Sequence, residues 1–322
     1  YTGYWVKAAS EKLPKALEIV SDMLLNSLFD NTEMEREKGV IIEEMNMYRD
    51  NPIMYLEDIF ETTLYGDSPA GWETVGTKGN ILKMKREDFL SYFNAQYGSH
   101  NTFVVLAGNL TPLSGVVNLV SKYFSSTKFS DRDKHFREKE KVVEKQTKPA
   151  VKLHYKKTDQ AHLCVGVRAF DYDHKERLVL ELLSLILGGS MSSRLFIALR
   201  EKHGLAYYVR NQAEAYTDTG YLTTRAGVPV TKLAAAIKII LAEYRKLKTT
   251  AVGAAELKRA KEMLKGRLII DFEASDDVAD WYGRQAAMHS AIGRTNADKT
   301  KFEKKLMTPE KFMALLDRVS AG

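Results

Sequence analysis

One cysteine, Cys164, occurs among the 322 residues. An intrachain disulfide and a cysteine-built zinc site are therefore both excluded. The seven histidines are His100, His135, His154, His162, His174, His203 and His289. No two of them lie close enough to form a local helical metal pair, so any metal site must draw ligands from distant segments. No apolar run approaches the ~18–20 residues of a membrane span, and no signal peptide is expected from the residues given. RNA-binding aromatic motifs and zinc fingers are also missing. The net charge is +6 and the pI 9.0, but acids and bases are interspersed through most of the chain. Neither a membrane nor nucleic acid is an expected partner. Strongly salt-dependent binding to duplex DNA would be needed to revive a nucleic-acid reading.

The remaining composition, 44% hydrophobic and 28% charged, is that of an ordinary folded protein. At about 100–200 residues per domain, this length predicts two domains. Alternation around Tyr4, Trp5 and Val6 predicts a strand over 1–9. Helices are expected over 12–29, from Asn31-Thr32 to about Asp50, and over 53–64, with a break at Asn51-Pro52. Tyr65 to Gly79 is expected as a loop, followed by a helix over 86–97, a strand Phe103–Ala107 and a helix over 112–124. The charge-dominated run from Lys128 to Lys148 reads as an interdomain linker or a solvated helix. Further strands are expected over 151–156, 162–168, 205–215 and 219–227. Further helices are expected over 176–187, 191–202, 231–247, 254–272, 275–290 and 308–319, with a tight turn at Gly188-Gly189-Ser190.

The chain contains an internal repeat. Glu33-Met34-Glu35-Arg36-Glu37-Lys38 matches Glu256-Leu257-Lys258-Arg259-Ala260-Lys261. Met84 through Phe89 matches Met307 through Phe312 at the same separation. A common shift predicts a duplicated domain. The comparison also leads us to expect that the first half lacks roughly 60 N-terminal residues and that the second lacks its last strand and helix. The absence of a methionine before Tyr1 agrees with a processed or truncated N terminus.

The helix over 33–50 carries the most informative chemistry. At about 100° per residue, Glu37 and Glu44 lie within about 20° of one another, two turns apart. Met34, Val40, Ile41, Met45, Met47 and Tyr48 surround them on the wheel, which predicts two buried carboxylates. Such groups need a cation, a donor network or a metal. Their counterparts in the repeat are Ala260 and Arg267, so packing alone does not demand acids here. Taken by itself, the helix fits a buried ion pair with arginine better than a metal site.

Three segments then carry a resemblance. Glu35-Arg36-Glu37-Lys38-Gly39-Val40-Ile41-Ile42-Glu43-Glu44, followed by Tyr48-Arg49-Asp50-Asn51-Pro52, resembles the third-ligand helix of the pitrilysin/insulinase zinc peptidases. Within them it is similar to the mitochondrial processing peptidase subfamily and its bacterial relatives. Leu187-Gly188-Gly189-Ser190-Met191-Ser192-Ser193-Arg194-Leu195-Phe196, continuing through Leu199-Arg200-Glu201-Lys202-His203-Gly204-Leu205-Ala206-Tyr207, resembles the family's second domain. Tyr97 through Gly108 resembles the strand that ends its first. The resemblance implies an α+β fold of two homologous domains, 1–140 and 141–322, each an antiparallel sheet with helices on one face. It implies that Glu44 is a zinc ligand and Glu37 a supporting carboxylate. It also implies that Arg200 and Tyr207 hold the substrate carbonyl and stabilise its oxyanion.

The activity it implies is zinc-dependent endoproteolysis of peptides or unfolded segments, bound partly by strand addition to a sheet edge. The zinc content expected is one ion per parent chain. The family's H-x-x-E-H motif, which supplies two histidine ligands and the general base, does not occur in this sequence. The chain alone is therefore expected neither to complete the site nor to hydrolyse peptides. A noncatalytic subunit of the same fold, such as the core subunits of a respiratory complex, is the rival expectation. Because one chain carries Glu37, Glu44, Arg200 and Tyr207, a homodimer is favoured, with a heterodimer as the alternative. A cytoplasmic setting is favoured over the mitochondrial matrix.

Overall fold

Apolar residues at helical spacing favour helices over most of the chain. A computed structural model describes residues 1–132, 137–291 and 306–320, and among them the expected sheet in each half is reduced to one, in the second. The first half forms α1 (Leu13–Leu25), α2 (Asn31–Asp50), α3 (Pro52–Tyr65), α4 (Lys78–Lys83), α5 (Arg86–Gln96), α6 (Leu113–Phe124) and α7 (Thr127–Asp131). The second half forms β1 (Gln160–Arg168), α8 (Arg177–Gly188), α9 (Arg194–Phe196), β2 (Tyr208–Ala215), β3 (Gly220–Pro229), α10 (Leu233–Thr249), α11 (Ala254–Asp271), α12 (Ser275–Ala291) and α13 (Pro309–Arg318). The class is α+β. The repeat is visible in the helix starts: Asn31 and Ala254, Pro52 and Ser275, and Arg86 and Pro309 are each 223 residues apart.

The chain divides into two units. One comprises Tyr1–Ile42, Thr77–Lys139 and Ile269–Met307; the other comprises Glu43–Gly76, Glu140–Leu268 and Thr308–Gly322. In the first unit Leu24, Leu25 and Phe129 form a small core, flanked by Tyr97 and Phe124. Arg132 tightens it: its guanidinium lies 4.1 Å from the centre of the Phe93 ring and donates to the carbonyls of Leu24, Leu25 and Tyr97.

In the second unit the strands form one antiparallel sheet of order β1-β3-β2, with Arg168 opposite Tyr221 and Cys164 opposite Arg225. Period-2 alternation divides its faces. Leu163, Val209, Ala226 and Val228 point to a core completed by Leu187, Leu195, Leu199, Ala236 and Ile240. Fully burying each such leucine or isoleucine stabilises by about 1.5–3 kcal/mol. Among these apolar groups, Asn211 on β2, Thr224 on β3 and Tyr244 on α10 hydrogen-bond to one another at 2.8–3.1 Å.

Several expectations are corrected. The strands predicted over 1–9, 103–107 and 151–156 belong to no ladder among the described residues. Trp5, Val151, Leu153 and Tyr155 are exposed. Alternation specifies which residues face which way, but only a neighbouring strand makes a ladder. The loop over 65–79 also holds a 3-10 turn, Pro69–Gly71, and runs into α4. The cap of α2 is Asp30, whose Oδ1 accepts from the backbone N–H groups of Thr32 and Glu33. Residues 133–136 of the Lys128–Lys148 run lie outside the described residues.

Candidate functional site

Helix α2 presents a different face from the one the wheel suggests. Its most buried residues are Met45, 2% exposed, and Lys38, 8% exposed. The lysine buries its methylene stem and delivers its ammonium to Glu35 at 2.6 Å and to the Leu82 carbonyl at 3.5 Å. Ile41, Ile42, Tyr48 and Arg49 are half-buried along the same side. Glu37 and Glu44 are exposed, as are Val40 (54%) and Met47 (56%) beside them. Buried carboxylates were expected; the buried stripe instead lies one residue round the helix. The apolar residues of α2 straddle Glu37 on both sides, and only packing decides which side is covered. Neither Glu37 nor Glu44 has a side-chain hydrogen bond or ion pair among the described residues, so no arginine neutralises them.

Arg200 and Tyr207 are brought together in the second unit. Helix α9 continues into a π-helical turn, Ile197–Lys202, a rare geometry that recurs at functional sites. Leu199 in that turn is fully buried and anchors it. Gly204, at φ 57°, reverses the chain in the left-handed region that glycine tolerates. The Tyr207 N–H then donates to the Gly227 carbonyl at 2.9 Å, entering the sheet. Arg200 Nη1 donates to the Tyr207 carbonyl at 3.2 Å, and the Tyr207 ring stays 58% exposed. The next residue, Tyr208, lays its ring on Gly227, where a Cβ would come within 2.5 Å of it. Its hydroxyl meets His162 Nδ1 at 3.0 Å, and burial lowers the pKa of that imidazole. No hydrogen bond joins Arg200 or Tyr207 to Glu44.

A third group escaped the sequence reading. On α3 the stripe Glu57, Phe60, Glu61, Leu64 and Tyr65 faces the polar side of the sheet. Arg225 Nη1 meets Glu57 Oε2 at 2.7 Å and its Nη2 meets Gln212 Oε1 at 2.6 Å. The hydroxyls of Tyr216 and Tyr221 both donate to Glu61 Oε1, the latter at 2.9 Å. Burial and the adjoining acidic oxygens push both phenols well above the ordinary tyrosine range. Asp58 on the same helix is raised by burial and then by repulsion from Glu73, Glu61 and Glu57, against the pull of Arg49. The signal was present in the sequence: two carboxylates at i and i+4 within an apolar i, i+3, i+7 stripe require donors opposite.

Among the described residues no group of three or more His, Cys, Asp or Glu side chains could hold a metal ion. Glu44 offers one carboxylate where a zinc site takes at least three protein ligands. The residues present do not by themselves fit zinc.

Residues 83–264 match the family description "Peptidase M16 inactive domain". The chain belongs to peptidase family M16. Residues 1–78 match a second description of it, "Insulinase (Peptidase family M16)". An uncharacterised zinc protease of Bacillus subtilis, YmxG, is 32% identical over 276 residues, covering 86% of this chain and 66% of that one. An uncharacterised zinc protease of Rickettsia felis is 30% identical, covering 100% of this chain and 74% of its own. The chain thus spans about two thirds of the length of these M16 relatives. A crystallised protease from Helicobacter pylori shares the fold at TM-score 0.77 and 23% identity, over 96% of this chain and 75% of that one. Among the described residues no helix is long and apolar enough to cross a membrane.

Proposed function

We propose that this M16 chain is the larger part of a zinc-dependent endopeptidase of the processing-peptidase type, acting on peptides or unfolded segments in a chamber between homologous domains 1–140 and 141–322. The observation that carries the reading is the open face of α2, where Glu37 and Glu44 are exposed and unneutralised. Exposed carboxylates are hydrated and cost the fold little, which leaves this pair free to meet a ligand. Zinc, when the full ligand set is assembled, would supply an activated water and a polarised carbonyl. From this chain, Glu44 would contribute one ligand and Glu37 would orient its surroundings. Arg200 is a cationic donor and Tyr207 an exposed phenol, suited to holding a substrate carbonyl as negative charge develops on it. The H-x-x-E-H element has to be supplied to this chain, in cis or by a partner.

The test is cleavage of an unstructured peptide by the 322-residue chain alone and by the chain produced together with an H-x-x-E-H-bearing segment of the family. The reading predicts chelator-sensitive cleavage only in the second case, lost in Glu44→Gln and strongly reduced in Arg200→Ala. A second reading, a noncatalytic partner-binding subunit, is favoured by the inactive-domain match across 83–264. It predicts no cleavage in either preparation. We further infer a homodimer, because one chain carries the α2 carboxylates and the Arg200–Tyr207 pair. Sedimentation giving only monomer would count against the dimer.

A further inference from the structure

Helix α3 comes from the first half of the sequence yet packs on the sheet built by the second, within one unit. The sheet face it covers is the polar one. By register, Tyr221 lies beside Arg168 and Glu214, and Thr223 beside Gly166 and Gln212. The helix is held there with little apolar burial: of its fourteen residues only Tyr65 is buried. In α8, on the opposite face, seven are. The attachments of α3 are polar. They are Glu57 to Arg225, Glu61 to the two tyrosine hydroxyls, and the Leu64 carbonyl to Arg168 Nη2 at 2.7 Å. Aromatic contacts add to them: Tyr65 packs against Tyr216 and Tyr221, Tyr55 meets His154, and Phe60 meets the Tyr221 ring edge-on at 5.1 Å and sits over Gly166, where a Cβ would fall 2.5 Å from the phenyl.

Both ends of the helix can act as pivots. Asn51-Pro52 breaks α2 from α3, with Asn51 Oδ1 capping Ile53 and Met54. Gly66, at φ 59° and ψ −133°, occupies a region closed to other residues. The loop beyond folds back on the helix end, Thr62 Oγ1 donating to the Gly71 carbonyl at 2.9 Å, so helix and loop would move together.

We propose that α3 is a detachable cover, hinged at Asn51-Pro52 and Gly66, whose release bares the polar face of the sheet as a wall of hydrogen-bonding groups. Elements with few fully buried residues open at lower free energy than the core around them. That the bared wall would receive an extended peptide rests on the peptidase reading. The opening itself does not.

Amide hydrogen exchange of the full chain tests it. In the wild type, amides of α3 should exchange at least about tenfold faster than those of α8 and β3. Arg225→Met removes the cation facing Glu57. Gly166→Ala leaves every charge in place and wedges a methyl under Phe60. Each should speed α3 exchange by a further tenfold or so while α8 and α10 stay protected. Tyr244→Phe, on the apolar face, should produce no α3-selective change. Exchange of α3 at the rate of α8, or loss of protection in α3 and α8 together in Gly166→Ala, would overturn the proposal whatever the peptide-cleavage result.

Discussion

Arg194 grips both carboxylate oxygens of Glu256, Nε to Oε1 at 2.8 Å and Nη2 to Oε2 at 2.6 Å. Glu33, the residue that Glu256 matches in the repeat, makes only a surface i,i+3 pair with Arg36. The same sequence position is therefore an exposed pair in one copy and a half-buried clamp between helices α9 and α11 in the other. Two parallel bonds from a planar guanidinium are among the stronger polar contacts available. The hydrogen bonds and charge of Arg194 hold the Glu256 carboxyl below the usual range. A carboxyl depressed on folding stabilises above its unfolded pKa, about 4.3, and that contribution is lost as pH falls through the folded value. Glu256→Gln should lower stability by about 1–2 kcal/mol at pH 7, between the exposed and buried limits for ion pairs. In urea titrations the gap to wild type should close by pH 3; a gap independent of pH would refute the assignment.

Asp58 has the opposite sign. Burial and three neighbouring carboxylates raise its pKa, so its ionisation opposes folding. Its neutral form gives full stability below the unfolded pKa, and stability falls as pH rises through the higher folded value. Asp58→Asn should therefore raise the urea midpoint at pH 7 and change it little at pH 3. A lower midpoint at pH 7 would mean the carboxylate has a favourable partner.

The lone thiol should be inert. Burial pushes Cys164 up to about 12, despite the guanidinium of Arg225 nearby. At pH 8 an aromatic disulfide reagent should label the native chain about a thousandfold more slowly than a free thiol. One full equivalent should react in denaturant. Rapid native labelling would show that α3 or β1 opens often or that the thiol is ionised.

Two glycines should respond in opposite ways to a methyl. At Gly220 a Cβ would meet the Phe170 carbonyl oxygen at 2.1 Å and that of Glu214 at 2.7 Å. Gly220→Ala should destabilise by about 1–3 kcal/mol, since backbone must shift. Gly39, inside α2, has nothing within 4 Å. Gly39→Ala should stabilise by up to about 1 kcal/mol through helix propensity alone. Thermal melts of the two variants measure both signs at once.

Helix α8, the Gly188-Gly189 turn and strands β1 to β3 were legible because each combines a clear period with a turn residue. The burial of α2 was not. Val40 and Met47 lie on one flank of Glu37, Ile41, Met45 and Tyr48 on the other, and the wheel cannot choose between them. The choice falls to Lys38, a residue that charge alone would put in water. The segments around Trp5, Val104 and Leu153 have strand sequences, but a ladder depends on a second segment that local pattern cannot specify. The α3 network was only half legible. Glu57 and Glu61 stand at i and i+4 in an apolar stripe, but their donors Arg225, Tyr216 and Tyr221 lie some 160 residues away in sequence and local pattern cannot name them.

Glu44, on the open face of α2, is proposed to ligate a metal. Zinc content by elemental analysis tests it most directly, on the 322-residue chain alone and on the chain produced with an H-x-x-E-H-bearing segment of the family, each with and without Glu44→Gln. The account predicts no bound zinc for the chain alone, about one ion per chain for the combined protein, and its loss in Glu44→Gln. A combined protein that holds no zinc, or that holds it equally well without the Glu44 carboxylate, would contradict it.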